Sequence, residues 1–135
     1  MRTCHVTFAA LALFAAATAA TAERPPQKRD DAELILTGKV EKITSKTSKF
    51  GNDGEMTTYV AKVAVDKVEK GKDVEIVSLD VTWFHVTKNP SKAFPGAYGH
   101  KYDLKAGDRA RFWLVKDKGA WTVIYGKDGV EKLKK

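Results

Sequence analysis

The sequence predicts an all-β domain, built as a small five-stranded barrel, with a small β-sandwich as the alternative. Three observations lead to this prediction. Apolar and polar residues alternate in several segments, clusters of Gly, Asn, Asp and Pro separate those segments, and no segment keeps the 3.6-residue period of an amphipathic helix. With 135 residues and no internal repeat, the chain is long enough for one domain.

The first predicted strand begins at Leu34 and keeps its apolar residues on one parity as far as Val40. The next apolar residue, Ile43, follows after three positions, which breaks the alternation. An extra residue in one strand of a pair produces such a break. The pattern therefore predicts a β-bulge near Glu41 and Lys42.

A hairpin is predicted at residues 50–54, because Gly and Asn tolerate the positive φ angles of a tight reversal. The next two strands are predicted from apolar alternation at Tyr59, Ala61, Val63 and Val65, and then at Val77, Leu79, Val81 and Trp83. The residues expected in the core are Val63, Val65, Leu79 and Val81 of these two strands, and Phe112 and Leu114 of a fourth strand.

The connection over residues 88–103 contains two Pro and two Gly and is longer than usual for a compact domain. It is predicted to be an ordered functional loop or to contain a short helical turn at residues 91–94. The remaining elements are a fourth strand at 109–115, a three-residue hairpin at 117–119, a fifth strand at 120–125 and a short edge at 130–133. A bulged first strand, a three-strand meander, a spacer and a closing hairpin follow the order of an OB-type barrel.

The N-terminal segment has the three parts of a secretory signal peptide: Arg2, an apolar run over residues 8–17, and a small-residue site at Ala20 to Ala22. The apolar run is too short to span a bilayer. We predict a signal peptide at 1–22, a flexible leader at 23–32 and a single domain at 33–135. The protein is expected to be exported, soluble, and periplasmic or extracellular.

Two segments carry a resemblance to known domains. The string VAKVAVDKVEKGK at residues 60–72 resembles the second strand of netrin-like and related exported OB-type domains, and LKAGDRARFWLV at 104–115 is similar to a later strand of them. The resemblance implies an exported OB-type barrel. Protease-inhibiting netrin-like modules depend on disulfides, whereas Cys4 is the only cysteine and lies in the predicted signal peptide, so no inhibitory function is implied.

The sequence contains no motif of a known catalytic site. No Gly-x-Ser-x-Gly elbow, Ser-x-x-Lys motif or Gly-rich phosphate loop is present, and no cofactor is implied. We therefore expect a non-enzymatic protein. The alternative is a small metal-dependent or hydrolytic enzyme centred on His85 and His100. Metal binding or general-base chemistry would require these two side chains to converge. In the competing interpretation, His85 closes the barrel end and His100 is a solvated loop residue.

A binding module is the leading hypothesis, and a structural envelope protein without a specific ligand is a further alternative. The candidate binding residues combine aromatic, basic and imidazole side chains around the long loop and the rims of strands three and four: Trp83, His85, His100, Tyr102, Arg111 and Trp113. The expected partner is an envelope protein, an anionic polymer or an oligosaccharide. The alternative role for these aromatic residues is packing of the loop onto the barrel.

The formal net charge of +7 comes mainly from Lys, often next to acidic residues. Bidentate recognition of phosphate favours Arg, and export also disfavours a nucleic-acid partner. Many of these lysines are expected to protect strand edges from aggregation.

Overall fold

The computed structural model describes residues 25–71, 77–92 and 96–134. These residues form strands β1 (Leu34–Phe50), β2 (Gly54–Lys70), β3 (Ser78–Lys88), β4 (Arg109–Asp117), β5 (Ala120–Val123) and β6 (Val130–Lys132). Two short 3-10 helices, Arg29–Asp31 and Lys127–Gly129, are the only helical elements in this part of the chain. The prediction of an all-β domain is confirmed, with β6 as the expected short edge.

The six strands form one mixed sheet whose hydrogen bonds pass in a ring through five of them. β1 pairs antiparallel with β2 along one edge and with β4 along the other. β2 continues to β3, and β4 to β5, both antiparallel. The ring is completed where β3 and β5 run parallel at two residue pairs, Val81 with Trp121 and Thr82 with Thr122. β6 adds to β4 beside this ring.

Bulges accompany the pairing of the long β1 strand with its two neighbours, β2 and β4. The pairing of β1 with β2 shifts register between Val40 and Lys42, which confirms the predicted bulge and leaves Glu41 as the extra residue. Two further shifts leave Asp66 and Glu69 of β2 without a residue opposite them. Because a bulge bends a strand and re-aims its side chains, these three sites help β1 and β2 to coil.

Close approach of β1 to β2 explains one glycine in the first strand. Gly38 is buried, and a Cβ atom at this position would overlap the Ala64 carbonyl oxygen and the Val63 side chain. Backbone oxygen cannot move away as a flexible side chain can. Glycine is therefore required at residue 38 by packing.

The two hairpins differ in how well the sequence described them. The turn between β1 and β2 lies at residues 51–53, within the predicted segment. The second hairpin was predicted to have three loop residues, and this is wrong. Asp117 pairs with Ala120, so only Lys118 and Gly119 form the loop, with φ angles of 49° and 81°. Two positive φ angles are typical of a type I′ turn, whose twist matches that of the strands.

The core lies inside the ring and follows the predicted parity. Val63, Val81, Phe112 and Leu114 are fully buried. Val65 and Leu79 are partly buried and pack against this cluster. The other core residues are Leu34, Leu36, Val40, Ala61, Trp83, Ala110 and Val123.

The segment before β1 packs on the outside of the sheet. The Gln27 backbone N–H donates to the Tyr125 carbonyl, and the Tyr125 N–H donates to the Gln27 side-chain oxygen. Ala32 is 1% exposed and joins Trp113 and Ile124 in a second apolar cluster. The part of the predicted leader from residue 27 onward thus contacts the domain, whereas the predicted signal peptide lies outside the described residues.

Residues 98–100 of the long connection after β3 return along that strand. The Val86 N–H donates to the Tyr98 carbonyl, and the His100 N–H donates to the Phe84 carbonyl. Nearby, the Asp53 carboxylate accepts the Ser91 N–H at 2.7 Å, which lowers the pKa of Asp53. The predicted helical turn at 91–94 falls largely outside the described residues, although residues 91 and 92 form a bend. No helix in the described segments is long and apolar enough to cross a membrane.

Candidate functional site

The six residues predicted for binding lie in two separate places. Arg111 and Trp113 are on the face of β4 that points away from the core, next to the N-terminal segment. The other four are near the end of β3 and on the loop that returns to β4: Trp83, His85, His100 and Tyr102. They therefore do not form one continuous aromatic and basic surface.

Trp113 is covered by other residues of the same chain. Its ring is 6% exposed, and the Arg29 guanidinium lies 3.8 Å from the ring centroid. The Arg29 Nε donates to the Asp128 carbonyl, so the guanidinium is fixed over the indole. A ring in this position is available for packing and cation–π contact but not for stacking on a ligand.

Arg111 is engaged in ion pairs on the same face of β4. Its guanidinium pairs with Glu69 at 2.9 Å and with Glu131 at 3.6 Å. Two residues earlier in the strand, Arg109 pairs with Asp66. Asp66 and Glu69 are the two bulged residues of β2, so the bulges direct carboxylates across β1 towards the arginines of β4.

Trp83 is part of the core. Its side chain is 4% exposed, stacks on Tyr59 with ring centroids 5.5 Å apart, and contacts Tyr102 edge-on at 6.0 Å. Offset-stacked and edge-on pairs are the favourable aromatic geometries. The burial and the two ring contacts assign Trp83 to packing, with only an edge left at the surface.

His85 and His100 lie on the paired segments of β3 and the returning loop. His85 is bridged directly to Gly99, while the His100 N–H bonds to the Phe84 carbonyl. His85 therefore has Gly99, and not His100, directly opposite it. His100 instead lies against Tyr102, with ring centroids 4.9 Å apart. Within residues 25–71, 77–92 and 96–134, no group of three or more His, Cys, Asp or Glu could hold a metal ion.

Tyr102 joins the returning loop to the far end of the chain. Its hydroxyl donates to the Gly126 carbonyl, and the ring packs against the core beside Trp83. Burial is the main cause that raises the pKa of the Tyr102 phenol, and the nearby Asp128 carboxylate acts in the same direction. Tyr102 is therefore a neutral hydrogen-bond donor that secures the loop, not a general base at neutral pH.

A cleft of about 350 Å³ opens where β3 and β5 part after their short parallel contact. We name it the β3–β5 cleft. Its apolar side includes edges of Trp83, Phe84 and Tyr102. Its polar side is supplied by the N-terminal segment, the end of β4 and β5: Gln27, Asp31, Glu33, Lys116, Asp117 and Thr122.

The lining of the β3–β5 cleft is acidic although the chain as a whole is basic. Asp31, Glu33 and Asp117 provide three carboxylates, against one lysine, Lys116. The Asp31 carboxylate also accepts the Lys28 N–H at 2.8 Å. The cleft thus combines apolar ring edges with several hydrogen-bond acceptors and disfavours an anionic occupant.

Sequence reasoning identified part of this cleft. Trp83, His100 and Tyr102 line it, whereas His85, Arg111 and Trp113 do not. Glu33 and Asp117 were missed because they come from opposite ends of the domain and carry no motif. The hydrogen bond from the Glu33 N–H to the Leu114 carbonyl, which brings the N-terminal segment to β4, has no local sequence signal.

Comparison with known proteins does not extend this description. No protein-family model matches the chain, and neither the curated proteins nor the solved structures include a significant match.

Proposed function

We propose that the chain is an exported, non-enzymatic binding module of the cell envelope with an OB-type barrel. The ring order β1-β2-β3-β5-β4, with β1 paired at both edges, supports the barrel assignment. Short parallel pairing between β3 and β5 is the step that turns an open meander into a closed arrangement. Small barrels of this type bind ligands at their faces and rims with little change to the framework.

The observation that carries the binding proposal is the β3–β5 cleft. Ligand sites are concave, with apolar walls and a few polar groups that fix orientation. Here Trp83 and Tyr102 line the cleft together with Glu33 and Asp117. Carboxylates accept hydrogen bonds from hydroxyl groups, and ring edges contact the apolar parts of a sugar. The lining therefore fits an uncharged oligosaccharide best.

The surroundings of His100 support this proposal over the enzyme hypothesis. A metal or a His-activated nucleophile needs side chains that converge within a few ångströms. The His100 ring instead packs against Tyr102, with ring centroids 4.9 Å apart, and the raised pKa of Tyr102 keeps its phenol neutral.

The test is a titration of the isotope-labelled protein, without residues 1–22, with cellohexaose, chitohexaose and polygalacturonate, followed by amide NMR shifts. We expect a neutral sugar to shift the amides of His100, Thr122 and Tyr125. The combined variant Glu33→Gln with Asp117→Asn should weaken that binding, whereas Asp103→Asn, outside the cleft, is the control.

Failure of both neutral sugars to shift these amides would contradict the oligosaccharide proposal. Hydrolysis of either sugar, detected as new anomeric signals in the same samples, would contradict the non-enzymatic assignment. An extended peptide from an envelope protein is the other partner class, and it would be supported if peptides but not sugars shift the cleft amides.

A further inference from the structure

A second concave surface lies on the outward face of the sheet, separate from the β3–β5 cleft. Two depressions, of about 400 and 690 Å³, have Val60 in common, and their other lining residues come from β1, β2, β3 and the start of β5. We name the pair the sheet groove. Its polar and aromatic side chains include Thr44, Lys46, Ser48, Thr58, Lys62 and Trp121.

The dimensions of the sheet groove fit an extended chain. Neighbouring strands are about 4.8 Å apart, so the three steps from β1 to β5 span roughly 14 Å. The two depressions of the sheet groove are more open to solvent than the β3–β5 cleft. A polymer that crosses the strands can use this length, and a compact small molecule cannot.

The lining of the sheet groove carries a net charge of +1, from Lys46 and Lys62 against Asp80. Lys42, which is next to this lining, lies directly opposite Lys62 in the pairing of β1 with β2, and like charges in this position repel. Asp80, opposite Lys62 on β3, is the one carboxylate in the groove lining. Among the ion pairs of the described residues, none involves Lys42, Lys46 or Lys62.

The arginines are used differently. Each arginine in the described part of the chain, Arg29, Arg109 and Arg111, is in an ion pair with a carboxylate of β2 or β6. Lys116, whose ammonium lies 5.3 Å from the centroid of the Trp121 ring, lines the β3–β5 cleft and not the sheet groove. The positive charge of the groove therefore comes from Lys46 and Lys62, with Lys42 beside them.

We propose that the sheet groove binds an acidic polysaccharide whose carboxylates lie over the lysines. Hydroxyl side chains between those lysines supply hydrogen bonds to sugar hydroxyls. Single-stranded nucleic acid is disfavoured, since it is held by several stacking rings and by guanidinium contacts to phosphate. This inference is independent of the proposed function of the β3–β5 cleft.

The experiment measures binding of polygalacturonate to the protein without residues 1–22, with Trp fluorescence and calorimetry at low and high salt. The test variant combines Lys46→Glu with Lys62→Glu. Its matched control combines Lys101→Glu with Lys127→Glu, which changes the net charge equally at exposed sites outside the groove. Dextran is the uncharged polymer, and a single-stranded thymidine oligomer is the competing polyanion.

We expect polygalacturonate to bind the unmodified protein, with affinity that falls as salt rises. The groove variant should bind about tenfold more weakly, because two favourable charge contacts become repulsive. In the control variant, the loss of binding free energy should be less than half of the loss in the groove variant. Dextran should not bind.

Equal loss in both charge variants would reduce the interaction to net charge and overturn the proposal. Tighter binding of the thymidine oligomer than of polygalacturonate would overturn the choice of ligand. Amide shift mapping on the unmodified protein provides a second measurement that needs no variant. Shifts confined to residues outside the groove would also overturn the proposal.

Discussion

Replacement of Trp83 by Ala tests whether this residue acts as core packing or as a binding surface. The side chain is 4% exposed, and it contacts two further aromatic rings, Tyr59 and Tyr102. Removal of the indole leaves a cavity inside the ring of strands and deprives both neighbours of their partner. The packing assignment therefore predicts a large loss of stability.

The size of this loss follows from the contacts. Truncation of a buried Trp to Ala costs about 3–5 kcal/mol, and each well-oriented aromatic pair contributes about 0.5–1.5 kcal/mol. We expect a loss near the upper end, about 4–5 kcal/mol, since Trp83 makes two such pairs. A domain of this length has roughly 5–15 kcal/mol of total stability, so the variant is folded but marginal.

Urea unfolding followed by far-UV circular dichroism gives the free energies. Trp83→Phe should lose less than half as much as Trp83→Ala, because a smaller ring still reaches Tyr59. Val77→Ala, at a residue that is 81% exposed, is the neutral control and should change stability by about 0.5 kcal/mol or less. If Trp83→Ala proves as stable as Val77→Ala, the packing argument is refuted.

Three further predictions concern a glycine, a buried phenol and a covering arginine. Gly38→Ala should cost several kcal/mol or prevent folding, because its Cβ would overlap a backbone oxygen of β2; the yield of folded protein and urea unfolding measure this. The raised pKa of Tyr102 favours the neutral phenol in the folded state. The contribution of this phenol to the free energy of unfolding is therefore fully present below pH 10.0, its ordinary pKa, and is lost as the pH rises above that value. Tyr102→Phe should lose about 1 kcal/mol at neutral pH, from the bond to the Gly126 carbonyl, and should lessen the alkaline loss of stability; unchanged alkaline unfolding would contradict this assignment. Arg29→Ala should cost about 0.5–1 kcal/mol and shift the Trp113 emission to longer wavelength, while an unshifted spectrum would indicate that the guanidinium does not cover the indole.

Several local features could be predicted from the sequence because each depends on nearby residues. Alternation with a period of two places Val63 and Val81 on a buried face whatever lies opposite them. The break in apolar alternation after Val40 predicted the position of a bulge, since an extra residue disturbs that same period. The position of the hairpin at residue 119 was predicted correctly, but its loop length was not. The reason is that Lys118 is a residue type that rarely adopts a positive φ.

The candidate site was predicted only in part, since it is formed by contacts between distant segments. His100 and Tyr102 were selected from their loop, and both line the β3–β5 cleft. The hydrogen bond from the Glu33 N–H to the Leu114 carbonyl brings Glu33 to β4, the strand that ends at Asp117, and both carboxylates line the acidic cleft. Trp113 has the parity of a surface residue, and only the tertiary structure covers it with Arg29.

The sequence by itself determined the all-β class, the strand positions and the parity that forms the core, since backbone geometry imposes the alternation along each strand. Only the tertiary structure decided that β3 pairs parallel with β5 and that Asp66 and Glu69 reach the arginines of β4. It also decided where the sheet leaves an open cleft. The physical reason is that a side-chain period reports which face of a strand is apolar, whereas the choice of neighbouring strand depends on loop closure, twist and packing summed over the whole chain.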